Sequence, residues 1–81
     1  MFNVKVEVTL KKQVLDPQGL TVKHALESLG FNEVDEVRMG KFLELKIEAK
    51  DRKEAEEKLR RMCEKLLVNP VIEDYTYQIE G

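Results

Sequence analysis

Phe2-Asn3-Val4-Lys5-Val6-Glu7-Val8-Thr9-Leu10 is the stretch that decides the fold. Its apolar residues, Phe2, Val4, Val6, Val8 and Leu10, take every second position, which in a pleated strand sets them on one face. Leu43, Leu45, Ile47 and Ala49 alternate with Glu44, Lys46 and Glu48 in the same way, and Tyr75, Tyr77 and Ile79 repeat the pattern near the end of the chain. Strands that are apolar on one side only need a second layer to cover that side.

The covering layer is legible between the strands. Lys11–Gln18 breaks the alternation, and Asp16-Pro17 marks a turn or helix start. Val22, Ala25, Leu26 and Leu29 fall on one helical stripe, and Gly30 suits the position just past a helix C-terminus. Asp51 and Glu54 have the spacing of an N-cap and its third helical residue, which predicts a helix from about Arg52. Its core stripe is Ala55, Leu59, Met62, Cys63 and Leu66. Glu54–Lys58, Glu56–Arg60 and Glu57–Arg61 are i,i+4 pairs in the favourable order, worth about 0.2–0.5 kcal/mol each. Asn69-Pro70 ends the helix, with asparagine in a left-handed cap. Val34–Met39 reads as a short strand, and Gly40 as the tight hairpin that joins it to the next. The resulting order, βαββαβ, predicts a single α+β domain over 1–81 of the ferredoxin-like, split βαβ kind, with two helices on one face of an antiparallel sheet.

Composition narrows the function. The chain has 81 residues, with 14 basic and 16 acidic side chains and a formal charge of −2. So balanced a charge leaves no electrostatic footprint for nucleic acid and no basic anchor for an anionic membrane. The charged fraction is 37 %, against roughly 25 % in ordinary soluble chains, which fits either solvated helix faces or the ion-pair networks of a thermophile protein. The N-terminal alternation is unlike a signal peptide, no apolar run approaches the roughly 20 residues that span a bilayer, and a lone cysteine forms no internal disulfide. A reduced, cytoplasmic setting is expected. A domain of this size buries only about 60 % of its unfolded surface, so homo-oligomerisation is expected as well.

The chemistry-bearing residues do not assemble into an active site. Cys63 lies on the apolar stripe of the second helix and reads as a small core residue. His24 is off the stripe of the first helix, with no partner at metal-ligand spacing. Asp35-Glu36 and Glu73-Asp74 are sequence neighbours whose side chains diverge in a strand. Gly40-Lys41 lacks the rest of a phosphate loop. Arg38 and Lys41 set two positive charges at the hairpin, suited to an acidic partner. Tyr75 and Tyr77 share the phase of Ile79 and so face the helices, away from any RNA-binding platform. Phe42 and Ile72 are out of phase on the other face and are candidates for a subunit contact. Catalytic, cofactor and metal residues are all expected to be absent, which leaves a binding or assembly module.

Three segments taken together, Leu15-Asp16-Pro17-Gln18-Gly19, Val37-Arg38-Met39-Gly40-Lys41 and Asn69-Pro70-Val71-Ile72-Glu73-Asp74-Tyr75, resemble the PurS family, the small subunits of phosphoribosylformylglycinamidine synthase (formylglycinamide ribonucleotide amidotransferase). The resemblance implies a role in purine biosynthesis, within an ATP- and glutamine-dependent C–N ligase complex. A glutaminase subunit there releases ammonia, and a synthetase subunit uses it to make formylglycinamidine ribonucleotide. The small subunit is implied to be a non-catalytic bridge between the two, a homodimer or homotetramer that binds no cofactor, while ATP, Mg and glutamine are used by the complex. Carried onto this chain, the resemblance makes Asp16, Gln18, Arg38, Lys41, Glu73 and Asp74 candidate partner-interface residues. Pro17, Gly19, Gly40, Asn69, Pro70 and Tyr75 are read as shaping turns and element ends. A small-molecule-sensing regulatory dimer module is the alternative, resting on fold analogy.

Overall fold

A computed structural model describes residues Met1–Gly81. Strand β1 spans Phe2–Leu10, helix α1 Pro17–Ser28, strand β2 Gly40–Ile47, helix α2 Arg52–Met62 and strand β3 Glu73–Glu80. The fold is an α+β, βαββαβ-like arrangement of a three-stranded antiparallel sheet and two helices, with β1 in the centre of the order β2-β1-β3. Registers follow from the alternation: Val4 stands opposite Leu45 and Ile79, and Val6 opposite Leu43 and Tyr77. A slip of one residue would turn every one of these side chains to the wrong face.

The core lies between this face and α2. Val4, Val6 and Val8 of β1 meet Ile47, Ala55, Leu59, Cys63, Val68 and Ile79, with Tyr75 and Tyr77 packed against them. Both expected helix starts form. The Asp51 carboxylate accepts from Glu54 N at 2.8 Å, and that of Asp16 accepts from Gly19 N at 2.9 Å with Pro17 in the first turn. Gly30 takes φ +96° just past α1, as its position predicts.

Several expectations are corrected. Val34–Met39 joins no strand ladder and so leaves the sheet with three strands. Its apolar residues, Val34, Val37 and Met39, do not keep a period of two, so no single face is available for burial. Gly40 therefore makes no hairpin. It opens β2 opposite Thr9, its φ is not positive, and a Cβ there would come within 2.3 Å of the Val8 carbonyl oxygen. Close approach, rather than a turn, is what requires glycine.

Only one of the two helices covers the sheet. The stripe of α1 contributes nothing to the core, and Leu29 remains 73 % exposed. Three strands about 4.8 Å apart offer a face little wider than one helix of 10–12 Å diameter, and α2 occupies it. The α2 stripe is corrected too. A π-helical turn at Cys63–Leu67 brings Val68 N to Cys63 O at 3.0 Å, so Val68 is buried while Met62 and Leu66 face outward. Asn69 has no left-handed backbone; its side-chain oxygen accepts from Val71 N at 3.1 Å and shapes the turn into β3. Glu57–Arg61 forms no ion pair, whereas Glu54–Lys58 and Glu56–Arg60 do, and Arg52 joins Glu56.

The chain is elongated. Its extents are 51 × 25 × 14 Å and its radius of gyration 16.2 Å, against about 12 Å for a compact chain of this length. A strand of nine residues is about 30 Å long and a helix of twelve about 18 Å. Set end to end they account for the long axis. Helix α1 and the segment that returns along it form an arm beyond the end of the sheet.

Candidate functional site

The three motif segments, far apart in sequence, meet where β1 ends and β2 and β3 begin. Thr9 of β1 stands opposite both Gly40 and Asp74, and Leu10 opposite Glu73. The arm is rooted here as well. Two shallow clefts mark the region: one of about 300 Å³ lined by Asp16, Gln18, Met39, Gly40, Lys41 and Glu73 among others, and one of about 230 Å³ between α1 and residues 35–38.

The polar side chains divide into inward and outward sets. Asp16 is buried, and both of its carboxylate oxygens are used: Oδ1 accepts from Gly19 N at 2.9 Å and Oδ2 from Met39 N at 2.7 Å. These two N–H groups hold its carboxyl below the usual aspartate range; burial opposes them, and the Arg38 guanidinium adds to them. Arg38 does not project as a docking charge. Its Nη2 donates to the carbonyls of Leu10 at 3.2 Å and Lys11 at 2.9 Å, and its Nη1 to Val14 at 3.4 Å. Gly19 lets the first turn of α1 lie against this segment, since a Cβ would fall 2.1 Å from Val37 O.

The outward set is charged and paired. Lys11 Nζ meets Asp74 at 2.7 Å, and Lys41 Nζ meets Glu73 at 3.5 Å. The other carboxylate oxygen of Glu73 accepts from Asn69 N at 2.7 Å, so Glu73 also closes the turn that follows α2. Asp74 and Lys41 keep most of their side-chain surface in water, and Gln18 is exposed on the first turn of α1. Charges so placed suit contacts with a second surface. Phe42 lies on the face away from α2, opposite Glu7, and is 57 % exposed; Ile72 is partly exposed just before β3, where its carbonyl accepts from Lys11 N. The sequence reading missed Lys11 and gave Met39, quoted only as part of a motif segment, no role of its own; Lys11 joins the site because β1 ends beside β3, and Met39 because its backbone N–H meets Asp16.

His24 is exposed on α1, and Cys63 is wholly buried in the core. Burial pushes the Cys63 thiol up, an effect that the nearby Tyr75 hydroxyl offsets in part. No group of three or more His, Cys, Asp or Glu is arranged to hold a metal ion, and no helix is long and apolar enough to cross a membrane.

The profile of the family described as "PurS: Phosphoribosylformylglycinamidine (FGAM) synthase" matches residues 3–81. The chain is 56 % identical over 80 residues to the PurS subunit of phosphoribosylformylglycinamidine synthase from Bacillus subtilis, covering 99 % of this chain and 94 % of that one. A crystal form of Bacillus subtilis PurS superposes with a TM-score of 0.91 over the whole of both chains. A chain from a structure of PurLQS of Thermotoga maritima gives 0.89 at 34 % identity, covering 98 % of this chain and 96 % of that one. With the family profile matched over nearly the whole chain and the fold matched from end to end, this chain belongs to the PurS family, subunits of phosphoribosylformylglycinamidine synthase.

Proposed function

We propose that this chain is a non-catalytic assembly subunit, bridging the glutaminase and the ATP-dependent synthetase of a glutamine-dependent ligase complex that works in the cytoplasm. The observation that carries the reading is the convergence of all three motif segments on one end of the sheet, where the ion pairs Lys11–Asp74 and Lys41–Glu73 form. A similar chain comes from a PurLQS structure, which supports a role beside larger subunits. In this reading ATP, Mg and glutamine are handled by the partners. Gln18, Lys41, Glu73 and Asp74 meet a partner surface, while Asp16 and Arg38 serve that surface from within.

The chain acts as a homodimer or homotetramer, with Phe42, Ile72 and the exposed stripe of α1 as the surfaces to be covered. Reconstitution tests the bridge. Glutaminase and synthetase mixed with ATP, Mg and glutamine should form the amidine product and a stable ternary assembly only when this chain is added. Equal product and equal assembly without it would overturn the reading.

A further inference from the structure

The charges of the chain are unevenly divided. Residues 17–37, which hold α1 and the first part of the returning limb, carry four carboxylates against one lysine. Residues 52–67, which hold α2 and its π-helical turn, carry six basic side chains against four acidic ones. Three of the arm's carboxylates, Glu33, Asp35 and Glu36, are exposed and join no ion pair. Phe31, 49 % exposed, and the half-buried Val34 are their apolar neighbours. On the other side of the molecule's charge balance, Arg61 and Lys65 also join no ion pair. With Lys58 they line a groove of about 570 Å³ between α2 and the edge strand β2, whose apolar lining includes Leu45, Met62 and Leu67. No carboxylate lines this groove, and none of residues 31–37 reaches it within the chain; Asp35 and Glu36 lie instead in the cleft beside α1. The two charge rows are of one size. Lys58 to Lys65 covers about 10 Å of helix, and Glu33 to Glu36 reaches about 10 Å when extended.

We infer that the groove between α2 and β2 receives residues 31–37 of a second copy of this chain, with Glu33, Asp35 and Glu36 meeting Lys58, Arg61 and Lys65, and Phe31 and Val34 set against Leu45, Met62 and Leu67. This rests on the homo-oligomer of the reading above and names one of its contacts. Each copy holds one acidic segment and one basic groove, so a single two-fold axis satisfies both pairs at once. The apolar residues supply attraction through burial, while the opposed charges fix the register and exclude wrong partners.

Charge exchange tests the contact. One variant carries Arg61→Glu and Lys65→Glu, the other Glu33→Lys and Glu36→Lys, all at exposed positions, so helicity by circular dichroism should hold in both. Where a reversed variant does not fold, Arg61→Gln with Lys65→Gln, or Glu33→Gln with Glu36→Gln, takes its place. Association is read by sedimentation at micromolar concentration. Each variant alone should raise the self-association Kd by tenfold or more, and salt should weaken the wild-type association. An equimolar mixture of the two reversed variants, one of them isotopically labelled, should regain association as a mixed species in native mass spectrometry, because each reversed groove then faces a reversed segment. Wild-type association left unchanged in both variants would overturn the contact and leave the homo-oligomer standing. Association lost in each variant but not regained in the mixture would overturn the pairing of these two surfaces. Loss of glutaminase or synthetase binding in the groove variant, with self-association intact, would give the groove to that partner and overturn the self-contact. A monomeric wild-type chain would overturn the homo-oligomer itself, and the contact with it.

Discussion

Two glycines are constrained by what a methyl group would strike. At Gly40 it would meet the Val8 carbonyl oxygen at 2.3 Å, and at Gly19 that of Val37 at 2.1 Å; both obstacles are backbone and cannot swing aside. Gly40→Ala and Gly19→Ala should each destabilise the chain by more than about 1 kcal/mol, read from urea denaturation midpoints. Asp16 makes a pH-dependent contribution. Its carboxyl titrates below the 3.8 of an unperturbed aspartate, chiefly because Gly19 N and Met39 N donate to the ionised form. The stabilisation is complete above that value and is lost as pH falls through the lower, folded-state value. Denaturation midpoints across the acid range should therefore drop less steeply in Asp16→Asn than in wild type. Cys63, buried and with its thiol pushed up, should resist a disulfide reagent until the chain is unfolded.

At the scale of elements, α2 is the one helix that both caps well and packs. Replacing its cap, Asp51→Ala, should cost about 1 kcal/mol of unfolding free energy. Leu59→Ala empties a fully buried site and should cost about 2–5 kcal/mol. Leu66→Ala, one residue short of the buried side, should change stability by less than about 0.5 kcal/mol in the same calorimetric or denaturant assay. The start of α2 was legible because an N-cap is a local hydrogen bond between neighbours in sequence. Its last turn was not, because the π-helical Cys63–Leu67 has ordinary helical composition while its i+5 bond moves the apolar side onto Val68.

At the scale of the whole molecule, the chain leaves much apolar surface open. Leu29, Leu66 and Val71 are each more than 70 % exposed, and only 11 of 81 residues are buried. These exposed apolar residues are surface that the proposed homo-oligomer would cover. Light scattering at micromolar concentration should show at least a dimer, and a monomer there would remove the homo-oligomer from the proposal. The candidate site was half legible. Its residue types stood out in three short segments, but Arg38 and Lys41 looked alike as free cations. Only the path of the arm turns Arg38 inward onto three carbonyls and leaves Lys41 beside Glu73.

Local periodicity and capping chemistry in the sequence determined the three one-sided strands, the two helix starts and the α+β class, since each depends on residues a few positions apart. Tertiary structure decided which helix won the single apolar face, that residues 34–39 became the returning limb of an arm instead of a fourth strand, and which charges were spent inside. Those outcomes are competitions among distant segments for a face one helix wide and for a few unpaired backbone groups, and no window of sequence contains both competitors.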